Sequence, residues 1–199
     1  MPVSAADLLH PLAGIATPGH HGVRGDATLR IALPAREMVQ VATRRGHAAV
    51  TAAAMRTGFG LQLPETGHAA AGPRATALWI QPGAWMVTAP WRGEGVLAGE
   101  LHNVIGGHAA VVDQSHGRVT IAIEGAQVRA VLAKGCRLDL HPRAFGAGRV
   151  ASTLIAQITC LLHQTDAAPR FELTVFSTLA RPFFHWLGES AAEFGYDIA

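Results

Sequence analysis

Residues 113–142 carry the most regular pattern of apolar residues in the chain. Apolar side chains alternate with small or polar ones over 119–123, which predicts a strand with one buried face. Apolar residues then recur at helical spacing over 128–132, and Gly135 follows as a predicted helix end. A strand followed at once by a helix on the same core favours a fold in which helices pack on a sheet.

The segments on either side predict two lobes with the same order of elements. The first half contains a predicted strand at 29–33 that returns or continues at 39–43 after a break at Pro34-Ala35, a helix over 46–57 ended by Gly58, a loop over 61–74, a hairpin turning at Pro82-Gly83, a helix over 96–104 and a strand at 109–113. The second half continues from the strand at 119–123 and its helix with strands at 150–158 and 171–176, a helix over 178–194 and a strand at 196–198. Each half follows the order β-α-β-β-α-β, the split βαβ arrangement.

The predicted fold is therefore α+β, with two pseudo-repeated βαββαβ lobes in one compact unit. The first lobe covers residues 26–114 and the second 115–199. Residues 1–25 are rich in proline and glycine and form a predicted extended N-terminal arm with a short helical segment at 4–9. Such an arm is either disordered by itself or laid across a partner.

Composition limits the classes of function. The net charge is +2 and the longest basic run is Arg44-Arg45, so nucleic-acid binding is not expected. Charged residues make up 15% of the chain, against roughly 25% in an average domain. This favours a surface covered by partners, although an alanine- and glycine-rich chain gives the same figure. Lys134 is the only lysine; the excess of arginine fits either an interface or a GC-rich genome.

The sequence also favours a cytoplasmic protein. Its first residues lack the basic region of a signal peptide. The longest charge-poor run, 75–91, is interrupted by Pro82 and Pro90, so no membrane span is expected. Cys136 and Cys160 lie far apart and predict neither a disulfide framework nor a metal knuckle.

No catalytic or metal-binding motif stands out. The 11 histidines lack the spacing of a metal site on a predicted helix, so no metal is expected. Asp113, Ser115 and His116 include the residue types of a hydrolase triad, but they are neighbours in one turn and no GxSxG motif is present. Neither GxGxxG nor a P-loop is found, so no nucleotide or flavin is expected on this chain alone.

Tryptophans and arginines suggest where a partner could bind. Trp79, Trp85 and Trp91 surround the predicted hairpin, where they either pack in the core, stack a flat ring or anchor a partner. Trp91 and Arg92 follow Pro90 at the end of a strand and are predicted to be exposed. With Arg118, they are the predicted interface residues.

Three stretches resemble the γ subunit of heterotetrameric sarcosine oxidase. They are DQSHGRVTIAIEG at 113–125, VLAKGCRLDLHPRAF at 131–145 and GRVASTL at 148–154. The resemblance extends more loosely from about Leu29 to the C-terminus. That family is similar in fold to the folate-binding aminomethyltransferase, or glycine-cleavage T-protein, superfamily.

The resemblance implies a non-catalytic subunit that braces the folate-side domain of the α subunit. The complex would oxidatively demethylate sarcosine to glycine, giving hydrogen peroxide with formaldehyde or 5,10-methylenetetrahydrofolate. Its catalytic residues, FAD, FMN, NAD and tetrahydrofolate would belong to other chains, with FMN held covalently by β. The implied partners are the α, β and δ subunits.

Two alternatives stay open. A stand-alone folate-binding or aminomethyltransferase-like protein would need an acidic residue and an arginine lining a cleft, for which Asp113 and Arg118 are the candidates. A plain α+β domain with an unrelated small-molecule role is the other.

Overall fold

The computed structural model describes residues 10–24 and 29–199. The helical segment predicted at 4–9 lies outside them. The strands are β1 Gly19–His21, β2 Leu29–Ala32, β3 Arg36–Thr43, β4 Ala69–Ala71, β5 Thr76–Gln81, β6 Ala84–Pro90, β7 Ala109–Asp113, β8 Arg118–Glu124, β9 Val150–Ile155, β10 Ile158–Asp166, β11 Arg170–Phe176 and β12 Tyr196–Ile198. The α-helices are α1 Ala48–Phe59, α2 Val96–Ile105, α3 Val128–Ala133 and α4 Ala180–Ala191. Short 3-10 helices cover Gly106–His108, Ser177–Leu179 and Ala192–Phe194.

The described strands form two sheets. One has seven strands in the order β1-β12-β2-β8-β11-β10-β9, and the other has five in the order β4-β5-β6-β3-β7. Neighbouring strands run antiparallel except β12 and β2, which are parallel. The predicted α+β class is confirmed. From β3 to β7 and from β8 to β12 the elements follow the same order, β-α-β-β-β-α-β, so each half contains one strand more than the sequence predicted.

Alternation along the strands places the sheets face to face with the helices outside. The outer faces bury the apolar sides of α1 and α2 against the five-stranded sheet and those of α3 and α4 against the seven-stranded sheet. A smaller apolar cluster lies between the sheets, formed by Met38, Leu78, Met86, Val150 and Leu161. The order of layers is thus helix, sheet, sheet, helix.

Strand β2 corrects the predicted lobe boundary. The sequence assigns Leu29–Ala32 to the first lobe, but β2 pairs with β8 and β12 of the seven-stranded sheet. The described part of the N-terminal arm also packs on this chain. Its β1 pairs with β12, and Leu12 is buried in the core of the same sheet. As the edge strand of this sheet, β1 is paired on one side by β12, so the described part of the arm lies against its own chain.

Three local predictions are also corrected. The strand predicted at 150–158 is a hairpin, in which β9 turns at Ala156-Gln157 into β10. Helix α1 continues through Gly58 to Phe59 and is capped by Gly60, which has a left-handed backbone (φ 67°) and whose amide donates a hydrogen bond to the carbonyl of Met55. The loop predicted over 61–74 contains β4. No described helix is long and apolar enough to cross a membrane.

Candidate functional site

Trp91 lies on the surface where β6 ends. Its side chain is 40% exposed, and its ring packs edge-on against the ring of His116, with 5.7 Å between centroids. The Trp91 amide donates to the carbonyl of Ala35 at 3.2 Å, which holds the backbone in place. Because His116 belongs to the turn between β7 and β8, Trp91 joins the end of one strand to that turn.

Arg118 and Phe176 extend this surface across the seven-stranded sheet. They lie opposite each other on β8 and β11, and the guanidinium carbon stands 4.2 Å from the centre of the Phe176 ring. Burial lowers the pKa of Arg118, while Phe176 stays 40% exposed. The Ser177 amide donates to the carbonyl of Gly117 at 3.0 Å, which links this pair to the His116 turn. We call this continuous patch the aromatic surface: Trp91, His116, Arg118 and Phe176.

Arg92 forms its hydrogen bonds within the chain. Its Nε donates to Glu37 at 2.9 Å, and its two terminal nitrogens donate to Glu100 at 2.9 and 3.0 Å. The hydrogen bond with Glu100 is the main reason why the pKa of Arg92 is raised. The other Glu37 oxygen accepts a hydrogen bond from the amide of Leu97 at 2.5 Å, in the first turn of α2. Through these bonds Arg92 anchors to helix α2 the segment that carries Trp91. A direct contact between Arg92 and a partner stays a prediction.

The two folate candidates make separate contacts in the described structure. Asp113 accepts a hydrogen bond from the amide of Ser115 at 2.8 Å, as expected for an Asx turn. Ser115 in turn accepts one from the amide of Met38 at 3.0 Å. Arg118 instead stacks on Phe176. Neither candidate lines the two cavities described next, so their role in folate binding stays a prediction.

Trp79 and Trp85 form an open hollow on the five-stranded sheet. They are cross-strand neighbours on β5 and β6. The hollow has a volume of about 460 Å³ and is also lined by Pro64 and Pro82. The indole of Trp85 donates to the carbonyl of Pro64 at 2.9 Å, so this ring is held in place by its own chain.

A cavity between the sheets was not predicted from the sequence. It is lined among others by Arg36, His163 and Glu172. The available signal was Glu172, a charged residue at the centre of a strand whose other face is apolar. That pattern is also typical of a strand with one face in water, so it could not distinguish a polar face that lines a cavity from one exposed to solvent. Within residues 10–24 and 29–199, no group of three or more His, Cys, Asp or Glu residues could hold a metal ion.

Known protein sequences resemble this chain over about three quarters of its length. A sequence model described as the sarcosine oxidase, gamma subunit family matches residues 45–193. A sarcosine oxidase subunit gamma from Arthrobacter sp. is 39% identical over 155 residues, covering 75% of this chain and 71% of that protein. The corresponding subunit from Corynebacterium sp. (strain P-1) is 34% identical over 145 residues, covering 71% of this chain and 70% of that one.

Solved structures extend the likeness to nearly the whole chain. A chain of the heterotetrameric sarcosine oxidase from Corynebacterium sp. U-96, solved in complex with pyrrole 2-carboxylate, superposes with a TM-score of 0.79 at 26% identity. The superposition covers 93% of this chain and 95% of that one. The glycine cleavage system aminomethyltransferase T from Bartonella henselae gives a TM-score of 0.65 at 15% identity, covering 87% of this chain and 48% of that one. The second likeness shows a shared fold alone.

Proposed function

The chain belongs to the sarcosine oxidase gamma subunit family, and on that premise we propose that it is the γ subunit of a heterotetrameric complex that oxidatively demethylates sarcosine. The observation that carries the proposal is the 0.79 TM-score with a chain of a heterotetrameric sarcosine oxidase over 93% of this chain. The family relationship supports the predicted non-catalytic subunit role.

The proposal extends to the chemistry and partners of the complex. The products would be glycine and hydrogen peroxide, with formaldehyde or 5,10-methylenetetrahydrofolate. The α, β and δ subunits would be the partners; α and β would carry FAD, FMN and NAD, and α would bind tetrahydrofolate. We place the complex in the cytoplasm. The chain contributes a rigid frame, because its two sheets pack face to face and present surface groups at fixed positions.

We propose the aromatic surface as the contact with a flavin-bearing subunit. Trp91 and Phe176 are each 40% exposed, and large aromatic side chains beside an arginine are typical of residues that contribute most to binding. The Arg118 guanidinium is already partly buried over Phe176, so covering it removes less hydration than covering an exposed arginine. Arg92 holds the Trp91 segment through Glu37 and Glu100, which limits the entropy lost when a partner binds.

The test is co-purification from cells that express all four subunits, with a tag on this chain. We expect flavin-bearing partners in the eluate and sarcosine-dependent peroxide formation. The Trp91→Ala/Phe176→Ala double variant should raise the Kd for the partner at least about 30-fold, the effect of losing roughly 2 kcal/mol of binding energy, and so lower partner recovery. Leu154→Ala is the matched control, because Leu154 is 46% exposed on edge strand β9, outside the aromatic surface.

Two results would contradict the proposal in different ways. A solitary tagged chain without flavin would remove the subunit assignment and favour the stand-alone folate-binding alternative, to be tested by tetrahydrofolate titration of wild type and Asp113→Asn. Full recovery of partners with the folded double variant would keep the subunit assignment and remove the aromatic surface as the interface. Circular dichroism of each purified variant separates lost binding from lost folding.

A further inference from the structure

The cavity between the two sheets has a volume of about 300 Å³, at the lower end of the range for small-molecule sites. Strands of both sheets line it. Thr76 and Thr88, cross-strand partners on β5 and β6, form part of one wall. His163 and Glu172, cross-strand partners on β10 and β11, form part of the other. Arg36, at the start of β3, completes it.

The cavity contains a fixed positive and a fixed negative group. A terminal nitrogen of Arg36 donates to Oε1 of Glu172 at 2.5 Å, across the gap between the sheets. Both side chains are largely buried, with 24% and 9% exposed. Within the part of the chain that the structure describes, no hydrogen bond reaches the second oxygen of Glu172. The pair therefore keeps capacity to bind a further charged group.

Two of the side chains that line the cavity each contain a buried nitrogen atom without a partner among residues 10–24 and 29–199. These atoms are Nε of Arg36 and Nδ1 of His163. His163 is only 8% exposed. Burial is the main cause of the lowered pKa of its imidazole and favours the neutral ring. Leaving a buried polar atom unpaired costs roughly 1–3 kcal/mol. A core selected for stability alone would often replace an ion pair such as Arg36–Glu172 by apolar groups, so a charged pair kept in the wall of a cavity points to a ligand.

We propose that this cavity binds a small zwitterion of the amino-acid class, with its carboxylate against Arg36 and its protonated amine against Glu172. A simple anion would meet the carboxylate of Glu172, and a simple cation would meet the guanidinium of Arg36. A molecule with both charges complements both residues, and the hydroxyls of Thr76 and Thr88 offer further hydrogen bonds. This site is separate from the aromatic surface and does not depend on the subunit assignment.

The test is a titration of the full chain with three small probes, in which NMR signals of the histidine rings report binding. Glycine carries both charges, acetate only the negative one and methylamine only the positive one. We expect glycine to shift the His163 ring signals with saturation, while His102, on helix α2, stays unchanged. Acetate and methylamine should bind at least about tenfold more weakly, because each lacks one charged contact worth about 1.4 kcal/mol.

Matched variants check the assignment. Glu172→Gln should weaken glycine binding at least about tenfold by removing the carboxylate that faces the amine. Glu124→Gln makes the same chemical change on the neighbouring strand β8, where Glu124 pairs with Arg170 outside the cavity, and should leave binding unchanged. If acetate binds as well as glycine, the cavity is an anion site and the zwitterion proposal is wrong. If no probe shifts the His163 signals, the cavity does not bind this class. Both outcomes come from the wild-type chain and do not require a variant to fold.

Discussion

Replacing Glu37 by glutamine should destabilise the chain more than the same change at any exposed carboxylate. The Glu37 side chain is 2% exposed. One of its oxygens accepts hydrogen bonds from the amide and Nε of Arg92 at 3.1 and 2.9 Å, and the other accepts from the amide of Leu97 at 2.5 Å. All three donors are N–H groups. In Glu37→Gln the new amide nitrogen is itself a donor, and we expect the remaining oxygen to stay with the two Arg92 donors, so that the Leu97 amide loses its acceptor.

The magnitude follows from which donors can reach water. Leu97 is fully buried, so its unpaired amide costs about 1–3 kcal/mol. Loss of a negative charge at the N-terminus of α2 adds about 0.3–1 kcal/mol. Arg92 is partly exposed and keeps its bonds to Glu100, so its share is about 0–1 kcal/mol. We expect the free energy of unfolding to fall by about 3 kcal/mol in total.

Urea unfolding followed by circular dichroism measures this difference. Glu100→Gln is the matched control, because Glu100 binds the same arginine but is 33% exposed, and it should cost under about 1 kcal/mol. Hydrogen exchange gives a local readout, since the Leu97 amide should lose protection in Glu37→Gln. Equal losses in the two variants, with the Leu97 amide still protected, would refute the idea that Glu37 anchors the start of α2.

Three further changes test other parts of the fold. Burial raises the pKa of the Cys160 thiol, so only the unfolded state loses this proton above about pH 8.5. Urea titrations should show the free energy of unfolding falling by up to about 1.4 kcal/mol per pH unit above that pH, and less steeply in Cys160→Ala. Equal slopes in wild type and Cys160→Ala would contradict this. Burial lowers the pKa of His163, so the unfolded state binds the proton first and stability should fall as pH drops below about 6.5; His163→Gln should flatten that part of the curve, and an unchanged curve would exclude His163 as its cause. Gly195 has φ +68°, and an added Cβ would lie 1.8 Å from the carbonyl oxygen of Val23. Gly195→Ala should lower the free energy of unfolding by more than about 3 kcal/mol, whereas Gly46→Ala, with φ +81° but open space, should lower it by only about 1 kcal/mol. Similar thermal midpoints for the two variants would show that the clash is easily relieved.

Local patterns in the sequence were sufficient for the central unit. The alternation over 119–123 predicted β8, and the helical spacing over 128–132 predicted α3. Both depend on residues that are close along the chain and share one buried face. The Pro82-Gly83 turn was equally readable, because Gly83 adopts φ +73°, a backbone conformation that glycine favours.

Strand β10 was missed because its turn carries no such signal. Ala156 and Gln157 adopt φ values of 49° and 64°, which L-residues other than glycine, asparagine and aspartate rarely do. The ladder between β9 and β10 holds them there, with six residue pairs in register. The two-residue turn is therefore imposed by the sheet, and its own residues do not predict it.

The sequence by itself determined the α+β class, the repetition of one order of elements in both halves (with one strand missed in each) and the family resemblance, because each depends on short-range periodicity or on runs of adjacent residues. The tertiary structure alone decided which sheet β2 joins and which polar groups meet between the sheets. Arg36 and Glu172 are 136 residues apart, and each lies on a strand that could equally face water. Only the packing of two sheets face to face turns them into one buried pair, since burial and charge proximity are properties of the folded chain.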